Sequence, residues 1–114
     1  MKKISLILVL LFAFQTNFAK TEDPLLVKAK EYSTSKNYED AIKTYNMYLK
    51  STKEVALKNV YVEIANCYFK LDKKQDAVKY IKEAIKVHGF SEQDFIYNDV
   101  LDLELSKYAL SVVY

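Results

Sequence analysis

The sequence has no tryptophan, and only one each of glycine, proline, cysteine and histidine. It also has no arginine: all seventeen basic residues are lysine. Each scarcity excludes something. A sheet protein of 114 residues would need several turn glycines, so the single Gly89 favours long helices joined by short polar connections. Loops that cradle phosphate need several glycines as well. One cysteine and one histidine, Cys67 and His88, cannot assemble a zinc site of those ligands, and Cys67 has no internal disulfide partner. Arginine makes the bidentate contacts to phosphate and guanine that lysine reproduces poorly. Its absence, with a formal net charge of only +2, argues against a nucleic-acid partner.

What is present is a core. Hydrophobic residues make up 51% of the chain, enough for one packed domain and too many for wholesale disorder. The N-terminus reads differently from the rest. Met1-Lys2-Lys3 is a short basic start, and Ile4 to Phe14 is an apolar run shorter than the ~20 residues that span a bilayer. With Ala19 as the small residue before a cut, residues 1–19 are expected to be a signal peptide and 20–114 the mature domain. No cysteine lies near the cut to take a lipid, so we expect an exported chain, periplasmic or secreted, with no stable membrane anchor after cleavage.

Downstream, five helices are legible from apolar residues recurring at i, i+3, i+4 and i+7. Asp23-Pro24 opens the first, with Leu25, Ala29 and Tyr32 on one side. The second carries Tyr38, Ala41, Ile42, Tyr45, Tyr48 and Leu49. Ser51 to Glu54 has the form of a capping box for the third, which bears Tyr61, Ile64, Ala65 and Tyr68. Asp72 and Gln75 suggest the start of the fourth, with Ala77, Ile81 and Ala84, and Gly89 suits a left-handed cap followed by the apolar Phe90. Ser91 and Asp94 open a fifth helix expected to run to about residue 112. Cys67 and most of the ten tyrosines fall at core spacing.

Two of these hairpins superpose in sequence with an offset of 36 residues: Leu25, Ala29, Tyr32, Ala41, Tyr45 and Tyr48 match Tyr61, Ala65, Tyr68, Ala77, Ile81 and Ala84. This pattern resembles the tetratricopeptide repeat (TPR) family, whose unit is a helix-turn-helix of 34 residues. Ala29 with Ala41, and Ala65 with Ala77, stand where the family packs small residues closely. Leu25 and Tyr61 replace its early tryptophan, and its closing proline is absent. The resemblance implies an all-α fold of TPR-like antiparallel helical hairpins, a short right-handed α-solenoid. It would have repeats at about 22–55 and 58–91 and a C-terminal capping helix at about 92–112. At a 34-residue spacing a third unit would put Asp99 and Asp102 in the places of Ala65 and Tyr68. Slipping by one residue brings Ile96, Val100 and Leu103 instead, hence a divergent cap rather than a third repeat.

No catalytic constellation emerges. His88 sits beside the cap glycine, and neighbouring acids such as Glu39 and Asp40 point in different directions from a helix surface, so we expect no catalytic, cofactor or metal site. In TPR proteins the inner faces of the first helices form a groove for an extended peptide or partner helix. By register that face would present Leu26, Lys30 and Ser33, then Asn59, Val62, Asn66, Phe69 and Lys70, implying a protein or peptide partner. The positions of the family's chaperone-tail clamp hold Leu26 and Lys30, so that ligand is not expected.

The fifth helix offers a second surface. At 100° per residue, Tyr97, Leu101, Leu105, Tyr108 and Val112 form one apolar stripe, and Ile96, Val100, Leu103, Leu110 and Tyr114 another, roughly opposite. The first can cover the fourth helix. The second is left without a partner, which suggests self-association, such as a homodimer, or a partner protein. Charge adds an asymmetry: from Ser91 onward there are five acids against Lys107 alone. These acids form either a solvated face or an end that docks on a basic surface of a second copy. The sequence thus predicts an exported interaction module, an adaptor or assembly factor. The alternative is a structural subunit that assembles with itself and binds no groove ligand.

Overall fold

The computed structural model describes residues 22–113, which form six helices and no strand. They are α1 (Pro24–Thr34), α2 (Tyr38–Ser51), α3 (Lys58–Lys70), α4 (Lys74–Val87), α5 (Asp94–Tyr97) and α6 (Leu103–Val113). The expected signal segment, residues 1–19, and Tyr114 lie outside the described residues.

The helices start and stop for local reasons. The Asp23 carboxylate accepts the Leu25 N–H at 2.9 Å, and Pro24 occupies the first turn, where its missing N–H is harmless. At the end of α1, Lys36 takes a left-handed φ of 65°, which lets its N–H reach the Ser33 carbonyl at 3.0 Å and the Asn37 N–H reach the Tyr32 carbonyl at 2.8 Å. The same pair of bonds closes α3: Asp72 has a φ of 60°, its N–H meets the Phe69 carbonyl at 3.0 Å, and the Lys73 N–H meets the Tyr68 carbonyl at 2.9 Å. These are Schellman turns with non-glycine residues in the left-handed place. The 36-residue repeat therefore extends from side-chain pattern to backbone hydrogen bonds. Gly89 adopts the positive φ of 74° that its sequence context suggests, and Phe90 beyond it is buried.

Packing follows the repeat. Ala29, Ala41, Ala65 and Ala77 are all fully buried, letting the paired helices approach closely, and Tyr45 and Ile81 fill equivalent places in α2 and α4. The helices pack in a row, α1 on α2, α2 on α3, α3 on α4, then α6 on α4 with α5 against α6. This is the all-helical, TPR-like stack of hairpins expected. Its interior forms two clusters. One joins the first hairpin to Ile64 and Cys67 of α3. The other joins the second hairpin to Phe90, Phe95, Leu101, Leu105 and Ala109. The C-terminal segment thus completes the second core.

Two expectations are corrected. Ser51 to Glu54 does not cap the third helix: Ser51 ends α2, the Thr52 hydroxyl accepts the Glu54 N–H at 3.1 Å, and α3 starts only at Lys58. Nor is there one capping helix over 92–112. It is interrupted between Tyr97 and Leu103 because Asn98 turns the chain, its side-chain oxygen accepting the N–H groups of Val100 at 2.9 Å and Leu101 at 3.1 Å. Asp102 then restarts the helix by accepting the Leu105 N–H at 3.1 Å. The two-stripe geometry, drawn for a continuous helix, fails with it. Leu101 and Leu105 are buried as that geometry has it, but Tyr97 and Val112 of the same stripe are exposed.

Candidate functional site

The sequence predicts two surfaces, and the structure treats them differently. Asn59, Asn66, Phe69 and Lys70 lie on one side of α3, while Val62 of the same set is in the core. That side lies, however, against the chain's own C-terminal segment. The Asn66 amide bonds the bent backbone after Asn98 at two points: its Nδ2 donates to the Val100 carbonyl at 2.8 Å and its Oδ1 accepts the Asp102 N–H at 2.9 Å. Lys70 pairs with the Asp102 carboxylate at 3.2 Å, Lys58 pairs with Asp94 at 3.1 Å, and Asn98 donates to Asn59 at 3.4 Å. Val62 is fully buried in the second core and is no groove lining, and Phe69 packs near Tyr108 with ring centroids 6.3 Å apart. The chemistry expected to hold a peptide backbone is engaged by residues 98–102. In the first unit Lys30 is exposed and pairs with Glu22 at 2.6 Å.

The electrostatics match this arrangement. Burial alone would raise the Asp102 carboxyl, but the Leu105 N–H and Lys70 outweigh it and hold it below the ordinary carboxylate value. Asp94 is lowered in the same way, with burial opposed by the Ser91 N–H, Lys58 and Asn98. Elsewhere, burial raises Tyr45, aided by its hydroxyl donating to Glu63. Burial also pushes the Cys67 thiol up to about 11, which keeps it protonated at neutral pH and a poor nucleophile. His88 stacks on Tyr61 with centroids 4.3 Å apart.

The second surface is open. Ile96 is 73% exposed, Tyr97 79%, Leu103 68% and Leu110 38%. Val100, expected among them, is half-buried against the second core. On α6, Leu103 and Leu110 share the side opposite the buried Leu105 and Ala109. Ser106 lies between them in sequence, three residues after Leu103 and four before Leu110. Its buried hydroxyl donates to the Phe95 carbonyl at 2.6 Å. That bond ties α5 to α6, so the exposed pair beside Phe95 and the exposed pair flanking Ser106 are carried on linked helices. Helical spacing alone puts Tyr97 on the buried stripe. The turn at Asn98 is what frees it, and an asparagine followed by Asp99 is the signal in the sequence.

An open cleft of about 680 Å³ also lies where α1 begins and α2 ends, with Glu22, Asp23, Lys53 and Glu54 around Leu26 and Tyr48. Among the described residues no cluster of three or more His, Cys, Asp or Glu is placed to hold a metal ion, and no helix is long and apolar enough to cross a membrane.

Residues 59–87, which take in nearly all of α3 and α4, match the tetratricopeptide repeat family model. No curated protein and no solved structure matches the chain. The matched segment is the second hairpin, and α1–α2 repeats its turn and its buried alanines.

Proposed function

We propose that the chain is an exported protein-interaction module, an adaptor or assembly factor, whose docking surface is the apolar patch on α5 and α6. Repeats of this kind typically serve binding rather than catalysis, and we assign no reaction or cofactor. The observation that carries the reading is the exposure of Ile96, Tyr97 and Leu103 on helices linked by the Ser106–Phe95 bond. Large apolar side chains carried on backbone that is already folded gain by leaving water when a partner covers them, with no backbone to order first. The α3 face is the weaker candidate, because residues 98–102 hold its amide and lysine. Export rests on the basic start and apolar run of residues 1–14.

A photo-crosslinking residue placed at Ile96 or Leu103 in producing cells should give a discrete adduct, and one at Glu31 on α1 should not. Equal adducts at all three positions, or none, would sink the patch as a docking surface. The purified chain should begin at Lys20; an intact Met1 start would sink export.

A further inference from the structure

The patch on α5 and α6 has an acidic rim. Glu92 and Asp99 are exposed without an ion pair among the described residues, and Glu104 pairs only with Lys107 of its own helix, at 3.7 Å. A complementary surface would set an exposed apolar side chain between lysines, and the first hairpin carries one. On α2, Lys43, Met47 and Lys50 follow at i, i+4 and i+7 and form one ridge, with Met47 50% exposed. Neither lysine makes an ion pair among the described residues. Two acids, Glu39 and the half-buried Asp40, stand at the ridge's N-terminal end. On α4, Lys79 and Lys86 repeat Lys43 and Lys50 at the same 36-residue offset, with Glu83 in the place of Met47 and Lys82 beside it. The Tyr80 hydroxyl donates to Asn46 at 3.3 Å and ties the two helices together.

The ridge and the patch stand on different parts of the row, α2 in the first hairpin and α5–α6 beyond the second. A contact between them joins two molecules rather than folding one. We propose that the acid-rimmed patch of one copy docks on the Lys43–Met47–Lys50 ridge of a second copy. This rests on reading the patch as a docking surface and names what it docks. The contact is heterologous, so each copy keeps one free ridge and one free patch, and assembly continues head to tail instead of closing as a symmetric pair. Its charge component acts between exposed groups and is screened by salt.

Sedimentation velocity on the chain purified from producing cells tests this. At about 50 mM NaCl the average mass should climb past that of a dimer with concentration, and at about 500 mM association should weaken roughly tenfold. Lys43→Glu with Lys50→Glu, and separately Ile96→Ser with Leu103→Ser, should each leave monomers. All four residues are exposed, so neither variant opens the core. Mixed in equal amounts, the two variants retain one ridge and one patch between them and should form a 1:1 complex that grows no further. Monomers at every concentration and salt would overturn the proposal. So would a dimer that stops growing, survives high salt and is lost only on changing Leu103 and Leu110, which would instead pair two α6 helices. A lysine face also suits an anionic membrane. Binding to phosphatidylglycerol vesicles that the lysine variant loses, without self-association, would overturn it too. In each case adducts at Ile96 and Leu103 but not at Glu31 would leave the docking surface standing, so the two ideas fail separately.

Discussion

From Pro24 to Val87 the helices are positioned by buried small side chains and by a backbone turn used twice. From Ser91 to Val113 the burial of Phe95, Leu101, Leu105 and Ala109 is joined by polar side chains that grip main-chain atoms. Asn98, Asp102, Asn66 and Ser106 each bond backbone there, and Asn66 does so from another helix, 34 and 36 residues away in sequence. The first region is a repeat whose contacts recur wherever the pattern recurs. The second is a single arrangement whose contacts occur once. Both contribute to one structure, because the second core contains residues from each.

The comparison breaks most visibly at Leu105, the fully buried anchor of α6. Leu105→Ala should cost about 3 kcal/mol in urea unfolding, the usual range for a buried leucine truncated to alanine. Ile64→Ala, in the core of the first hairpin, should cost a similar amount. A single transition in both variants would mean that the two regions unfold together. An early step confined to Leu105→Ala would mean that the C-terminal segment folds as a separate unit.

Next comes Asn66, which has a register mate in Lys30. Asn66→Ala strips partners from the Val100 carbonyl and the Asp102 N–H and should cost about 2 kcal/mol. Lys30→Ala removes only an exposed ion pair and should change stability by less than about 1 kcal/mol. Amide exchange at Asp102 should accelerate in the first variant and not in the second. Equal costs would erase the distinction between backbone grip and surface pairing.

These two positions also show where the sequence was legible. Ala29, Ala41, Ala65 and Ala77 announce the hairpins because small residues recurring at a fixed offset mark close approach of paired helices, and periodicity reports burial directly. Asn66 reads equally well as a groove amide or an inter-helix clamp, since its chemistry is the same in either place. Only the path of residues 98–102 decides between them. The break at Asn98 is obscured because the apolar residues on both sides keep helical spacing even though the helix does not continue. Leu103 and Leu110 are legible as an open face because they lie within one uninterrupted helix, whereas Tyr97 lies across the break.

Acid should separate the two regions further. The Asp94 and Asp102 carboxyls are held below their ordinary value in the folded chain, so folding favours their charged forms. Their contribution is fully present above the unfolded-state value of about 3.9 and is lost as pH falls below it through the lower folded-state values. Protection of the α6 amides should therefore decline below about pH 4 before that of α1 and α2. Asp102→Asn should flatten this decline. If α1 and α2 lose protection over the same window, the acid response belongs to the whole molecule.

The smallest effects test whether the two hairpin turns are as alike as their geometry. Lys36 and Asp72 occupy the same left-handed position, at φ values of 65° and 60°. A lysine there suffers contact between its Cβ and the carbonyl, which glycine avoids, but glycine brings a more flexible unfolded chain. The net gain from Lys36→Gly should be about 0.5 kcal/mol. Aspartate tolerates the left-handed region because its short side chain can bond nearby backbone. Asp72→Gly should therefore be close to neutral, and thermal unfolding of the two variants side by side checks the difference. Equal gains would mean that Asp72 is strained as Lys36 is. A loss at Lys36→Gly would mean that the lysine contributes at this turn through contacts beyond its backbone angle.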